Sequence, residues 1–158
     1  MMKTIELTQG KQALVSASDY AYLSGFKWCY NARLDCAARG IWDKDSKQTT
    51  VVSMHRFLMG TPRGMDTDHI NGDRLDNRRE NLRVCSHADN QANMKMHKDN
   101  SSGYKGVSLA KSGNWVAKIR NRTIGTFANK VDAAKAYNQK AVELYGHYAK
   151  LNDLGEVK

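Results

Sequence analysis

Cysteine is scarce in this chain. Cys29, Cys36 and Cys85 are scattered over 158 positions and form no CxxC pair. That excludes a disulfide framework and a zinc site of paired thiolates, and it favours free thiols in a reducing cytoplasm. Long apolar runs are absent too: no stretch approaches the ~20 residues that a membrane-spanning helix needs. The opening Met1-Met2-Lys3-Thr4-Ile5-Glu6 holds no apolar segment, so no secretory signal is expected. There is no internal repeat and no low-complexity tract. Acidic residues are in deficit, 16 Asp+Glu against 25 Lys+Arg, for a net charge of +9. The length excludes a large α/β barrel and suits one ordinary domain or a string of small modules. With 41% hydrophobic and 26% charged residues, the chain is globular, not wholly disordered.

A positive excess of this size points to a polyanion as partner. Nucleic acid leads, since no strongly amphipathic basic helix suits a membrane surface. The distribution sharpens this. Residues 1–53 are close to neutral at +2 and residues 54–100 at +1, the latter dense in both signs, whereas residues 101–158 carry +6. One part is suited to hold a polyanion and another to do chemistry. The polar run Lys95-Met96-His97-Lys98-Asp99-Asn100-Ser101-Ser102-Gly103 separates them and reads as a linker, or as the frayed end of a helix.

The first third is strand-like. Residues 37–42 and 49–54 flank the turn-rich Asp43-Lys44-Asp45-Ser46-Lys47, which predicts a β-hairpin. Residues 19–23 suit one or two helical turns capped by Ser18 or Asp19. Phe26, Trp28 and Trp42 are read as core residues.

The middle third is where chemistry concentrates. Thr67-Asp68-His69-Ile70 reads as a short strand and Asn71-Gly72-Asp73 as a turn, with Gly72 supplying positive φ. Asn81-Leu82-Arg83-Val84-Cys85 alternates as a second strand. Ser86 caps a helix predicted from His87 to about Met96, with Asp89 as its box-like partner. Such a ββα unit gathers Asp68 and His69 at a strand end and Asn90 one turn into the helix. A carboxylate and an amide oxygen are hard ligands suited to Mg²⁺ or Mn²⁺ and not to zinc. His69 can act as general base on a water, and Asn81 on the facing strand is placed to orient its imidazole. Phosphodiester hydrolysis needs these parts.

Asp68-His69-Ile70-Asn71-Gly72-Asp73, with Asp76-Asn77-Arg78-Arg79, Glu80-Asn81-Leu82-Arg83 and Asn90, resembles the HNH nuclease motif in the form found in phage homing endonucleases. The resemblance covers thirty to forty residues. It implies that His69 is the general base, that Asn81 positions it, and that Asp68 and Asn90 bind a divalent metal. Asparagine stands at the third signature position, as in the H-N-N branch of that family. His87 and Asn93 lie near on the helix. Met54-His55-Arg56-Phe57 resembles a segment common upstream of such motifs, so that His55 either supports the site or is structural.

The last third shows three short strands, residues 104–109, 115–120 and 123–127, followed by a helix from about Val131 to Tyr145 opened by Asn129 or Asp132 and stopped by Gly146. Trp115, Ala117 and Ile119 face the helix, while Val116, Lys118 and Arg120 face away, leaving a basic sheet shaped to enter a major groove. Ser102-Gly103-Tyr104-Lys105-Gly106-Val107, Trp115–Arg120, Ile124–Phe127, Asp132–Tyr137 and Tyr148–Asn152 resemble the AP2 DNA-binding domain. That implies DNA contacts from Lys105, Lys118, Arg120 and Arg122. Ser108 and Thr123 stand where plant members usually carry arginine and tryptophan, so the plant domain's sequence preference does not carry over.

The expected fold class is therefore α+β: an N-terminal β-rich segment (1–53), an HNH ββα-metal nuclease unit (54–97), a linker (98–103) and an AP2-like sheet packed on one helix (104–152). The expected function is a metal-dependent homing-type endonuclease acting on double-stranded DNA. It would be encoded by a phage or prophage and work in the cytoplasm of a bacterial host, with no membrane and no small-molecule cofactor as partner. A single unit has one active site, so a monomer nicks one strand and a homodimer cuts both; the sequence leaves both open. A catalytically inactive HNH/AP2 DNA-binding regulator is the alternative, and an RNA-binding module a weaker third.

Overall fold

The computed structural model describes residues 1–94, 96 and 99–155. Lys95, His97 and Lys98, which fall at the end of the expected helix 87–96 and the start of the expected linker 98–103, lie outside the described residues. The chain divides into two compact units, Met1–His87 and Ala88–Lys158, each α+β.

In the first unit, β1 (Met2–Glu6) and β2 (Gln12–Ser16) form an antiparallel pair, and α1 (Ala17–Ser24) follows directly. β3 (Cys29–Asn31), β4 (Cys36–Asp43) and β5 (Gln48–Ser53) make the expected hairpin and one extra strand. α2 (Met54–Met59) starts where the sequence suggested the strand's end, and it stops at Gly60, left-handed at φ 55°. β6 (Asp66–His69) pairs antiparallel with β8 (Leu82–Cys85), and the two-residue β7 (Asp76–Asn77) runs parallel to β2. One core draws on β1, β2, α1, α2 and β8: Ile5, Ala13, Val15, Leu23, Trp28, Met54, Leu58 and Leu82 pack together. Each large apolar side chain fully buried here contributes about 1.5–3 kcal/mol. Trp28 is in this core as expected, and its indole donates to the Leu23 carbonyl at 3.0 Å. Trp42 is not: near the tip of the β4–β5 ribbon it is 59% exposed, because the ribbon at that point has no partner layer among the described residues.

In the second unit, α3 (His87–Asn93, His87 itself closing the first unit) precedes β9 (Val107–Leu109), β10 (Trp115–Ile119) and β11 (Arg122–Phe127), an antiparallel sheet in the order β11-β10-β9. α4 (Lys130–Tyr145) packs on one face. Its N-cap Asn129 accepts a hydrogen bond from the Asp132 backbone N–H at 2.9 Å, the capping chemistry expected. Ala133, Ala134, Tyr137 and Ala141 meet Val107, Ala117 and Ile119 across the layers. The fit is close at Gly106: at φ +74°, a Cβ would lie 2.2 Å from the Tyr137 ring, so glycine is required there. Residues 100–103, expected as part of a linker, form an ordered turn in which the Asn100 side-chain Oδ1 accepts from Ser102 N–H, Ser102 O–H and Gly103 N–H. No helix among the described residues is long and apolar enough to cross a membrane.

Candidate active site and nucleic-acid face

The β6–β8 hairpin carries the densest set of buried polar groups in the first unit. Asp68 and Arg83 face each other in register, and Arg83 Nε and Nη2 both donate to Asp68 Oδ2, at 2.9 and 2.7 Å. Asp68 is 6% and His69 5% exposed. Between the strands runs a loop of internally bonded side chains. Asn71 and Asn81 are joined twice: Asn71 N–H donates to Asn81 Oδ1, and Asn81 Nδ2 donates to Asn71 Oδ1, each at 3.0 Å. Asn81 Nδ2 also donates to the Asp76 carbonyl at 2.8 Å, and Asn71 Nδ2 to the Asp76 carboxylate at 2.9 Å. Asp76 is gripped by Arg78, whose hydrogen bonds hold its carboxyl below the ordinary carboxylate range. Gly72 turns the loop at φ 72° and donates its N–H to the His69 carbonyl.

This corrects the expected role of Asn81. Its side-chain hydrogen bonds go not to the His69 imidazole but to Asn71 and Asp76, in the loop between the two strands. The polar side chain beside the ring is Asn77, which favours the protonated form. Burial outweighs it and the nearby Asp68, and the His69 pKa lies below its ordinary value. A neutral imidazole at neutral pH can accept a proton. His55, on α2, stands edge-on to His69 with ring centroids 4.8 Å apart, and its Nε2 lies 3.0 Å from Ser53 Oγ. Burial first, then the neighbouring His69, pushes its pKa down to about 3, so His55 is neutral and part of the support around His69. His87 is exposed and pairs through Nδ1 with Asp66 at 2.9 Å.

Asn90 lies on α3, in the second unit, and is half-buried. No group of three or more His, Cys, Asp or Glu side chains among the described residues could hold a metal ion. The donor chemistry proposed from the sequence, one carboxylate and one amide oxygen, still suits a hard divalent cation that keeps several waters.

On the C-terminal sheet the register revises the expected basic face. Residues paired with Val116 and Lys118 share the open face, which therefore carries Ser108, Val116, Lys118, Thr123 and Thr126. Of the four expected DNA contacts, Lys118 alone stands there, exposed to solvent. Arg120 sits in the β10–β11 turn at φ 48°, not on the strand, and its guanidinium donates to Tyr145 Oη at 2.9 Å and lies over that ring. Arg122 pairs with Ile119, on the side that faces α4, at the exposed edge. Lys105 is turned inward: its Nζ donates to the Ala92 and Met94 carbonyls at 2.6 and 2.7 Å.

Sequence reasoning assigned no site role to Asn77, Arg83 or Asp76, and read Asn71 only as a turn residue. Arg83 was findable by strand alternation only with the hairpin register in hand, and the twelve-residue loop hides that register.

Residues 59–92 match the model of a family described as HNH endonuclease, a span that contains Asp68, His69, Asn81 and Asn90. The chain is 27% identical over 156 residues to an uncharacterized HNH endonuclease, L560, of Acanthamoeba polyphaga mimivirus, an alignment covering 92% of this chain and 77% of that protein. It is 44% identical over 50 residues to Protein 3.8 of Escherichia phage T7, covering 32% of this chain and 41% of the phage protein. It is 40% identical over 55 residues to the dehydration-responsive element-binding protein 2C of Arabidopsis thaliana, covering 31% of this chain and only 16% of the plant protein. No solved structure matches.

Proposed function

We propose that the chain is a metal-dependent endonuclease of the HNH homing type, borne by a phage or related element and acting on duplex DNA. The observation that carries this reading is the buried Asp68–His69 pair on β6, braced by the Asn71–Asn81–Asp76 loop. His69, neutral through burial, takes the proton of the attacking water. Asp68 and Asn90 would hold the divalent cation, Mg²⁺ or Mn²⁺. That ion, when bound, supplies Lewis-acid stabilisation of the phosphate and the leaving oxygen. Arg83 pairs with Asp68, and that pair would have to open for Asp68 to hold an ion. Lys118 on the open sheet face, with Arg120 and Arg122 at its hairpin end, holds the phosphate backbone; such contacts fix position and carry no sequence by themselves. The +6 charge of residues 101–158 and the similarity to a plant protein named as element-binding support this assignment.

The test is nicking of supercoiled plasmid with Mg²⁺, Mn²⁺ or chelator, comparing wild type with His69→Ala. Wild type converts plasmid to nicked or linear form only with metal, and His69→Ala loses at least a hundredfold in rate while still binding DNA. Cleavage unchanged in His69→Ala sinks the assignment of the base. The Arg83–Asp68 pair is what favours the second reading, a non-catalytic DNA-binding protein: there Arg83 stays on Asp68 permanently, and DNA is bound but never cut.

A further inference from the structure

Lys105 was expected to touch DNA, and the structure gives it other work. Its ammonium meets the carbonyl of Ala92, in the last turn of α3, and that of Met94, just past its end. Helix ends leave such carbonyls without partners inside the helix, and a cation there also complements the helix dipole. The backbone of Lys105 is itself fixed. Its N–H donates to Asn152 Oδ1 at 2.6 Å, and its carbonyl accepts from Asn152 Nδ2 at 3.1 Å. Asn152 in turn exchanges two bonds with Asn138 of α4, at 2.8 and 2.9 Å. An unbroken path of hydrogen bonds thus runs from α4 through Asn152 and Lys105 to the end of α3. The Lys150 backbone N–H adds a further bond to the Ala92 carbonyl. α3 has only seven residues, too few to persist on its own propensity.

We propose that Lys105 is a positioning residue for the nuclease reaction: it clamps the C-terminal end of α3 and so fixes the turn of helix that carries Asn90. This rests on the reading of Asn90 as a metal ligand. Half-burial of the amine, with Lys150 nearby, brings its pKa down to about 8, as expected for a group drawn out of solvent. An amine held on two carbonyls is withdrawn from phosphate. The sheet domain therefore does more than raise affinity for DNA. It supplies the anchor for the helix, and the two functions separate at single residues, Lys105 for the helix and Lys118 for DNA.

The experiment compares full-length wild type, Lys105→Met, Lys105→Gln, Lys105→Arg and Lys118→Ala. Three quantities are read: affinity for duplex DNA, kcat for plasmid nicking at saturating DNA with Mn²⁺, and amide hydrogen exchange over residues 88–94. Lys105→Met and Lys105→Gln should bind DNA within about twofold of wild type while kcat falls about tenfold or more, the usual scale for a residue that orients a metal ligand. Exchange over 88–94 should quicken in both, and Lys105→Arg, which keeps a cation and several donors, should restore rate and protection. Lys118→Ala should do the reverse, weakening DNA binding with exchange unchanged. Lost DNA affinity at full kcat in Lys105→Met overturns the proposal, as does unaltered exchange over 88–94. A wild type that cuts no DNA with any divalent metal overturns the nuclease reading and the catalytic consequence with it, while the exchange rates still report whether Lys105 holds the helix.

Discussion

The β6–β8 hairpin and the C-terminal sheet use polar side chains in opposite ways. Around the hairpin, Asp68, His69, Asp76, Asn77 and Asn81 are all buried. On the sheet, the buried layer is alanine, valine, isoleucine and tyrosine, and the charges lie outside it. Burying polar groups is costly unless each is partnered, so a loop that does it is bound to one geometry. A surface lysine has no such constraint and can follow a mobile phosphate backbone. On the proposed function, the contrast separates a region that holds atoms in place for a reaction from one that adheres to DNA.

The largest effect that tests this contrast is Asn81→Ala. It deletes bonds to Asn71 and Asp76 in a buried setting, and should destabilise the first unit by about 3 kcal/mol in urea unfolding. A loss under ~1 kcal/mol would mean that the loop does not depend on it. Next comes acid sensitivity. An unfolded His55 takes up a proton near pH 6.5 and the folded one only near pH 3, so between those values the unfolded state binds more protons. Stability should therefore fall as pH drops through this window, by about 2 kcal/mol between pH 7.5 and pH 5 from His55 alone. His55→Gln should remove that slope, and an unchanged slope would contradict the burial of a neutral ring. The smallest effect belongs to the sheet. Lys118→Ala should leave thermal stability unaltered, weaken DNA binding a few-fold and reduce the salt dependence of log Kd by about 0.9. An unchanged salt slope would remove Lys118 from the DNA contacts.

The motif spacing was enough to place Asp68 and His69 at a strand end and to read the ββα order, because turn chemistry at Asn71-Gly72 and strand alternation at 81–85 are local signals. The C-terminal sheet and α4 were legible for the same reason, each element carrying its own cap, turn and period. What failed to show was whatever depends on pairing between distant segments. Arg120 was placed on the open face by simple alternation, yet the hairpin turns at that residue and the register shifts after Ala117. The AP2 resemblance implied a DNA contact at Lys105, and only the fold brings Ala92 and Met94 to its amine. Asn81 and Asn77 differ by four positions and share a residue type, and no sequence period distinguishes the loop clamp from the ring's neighbour.

The parallel pairing of β2 with β7 has a consequence for how the chain must fold. Leu14 and Val15 lie beside Asp76 and Asn77, some sixty residues later. Closing so long a loop costs chain entropy before any contact is gained, which makes this a late and cooperative event. A fragment beginning at Met54 would retain every residue of the nuclease motif and lose the strand against which Asp76 and Asn77 are laid. The motif's loop is thus completed by strand pairing within the chain's first sixteen residues.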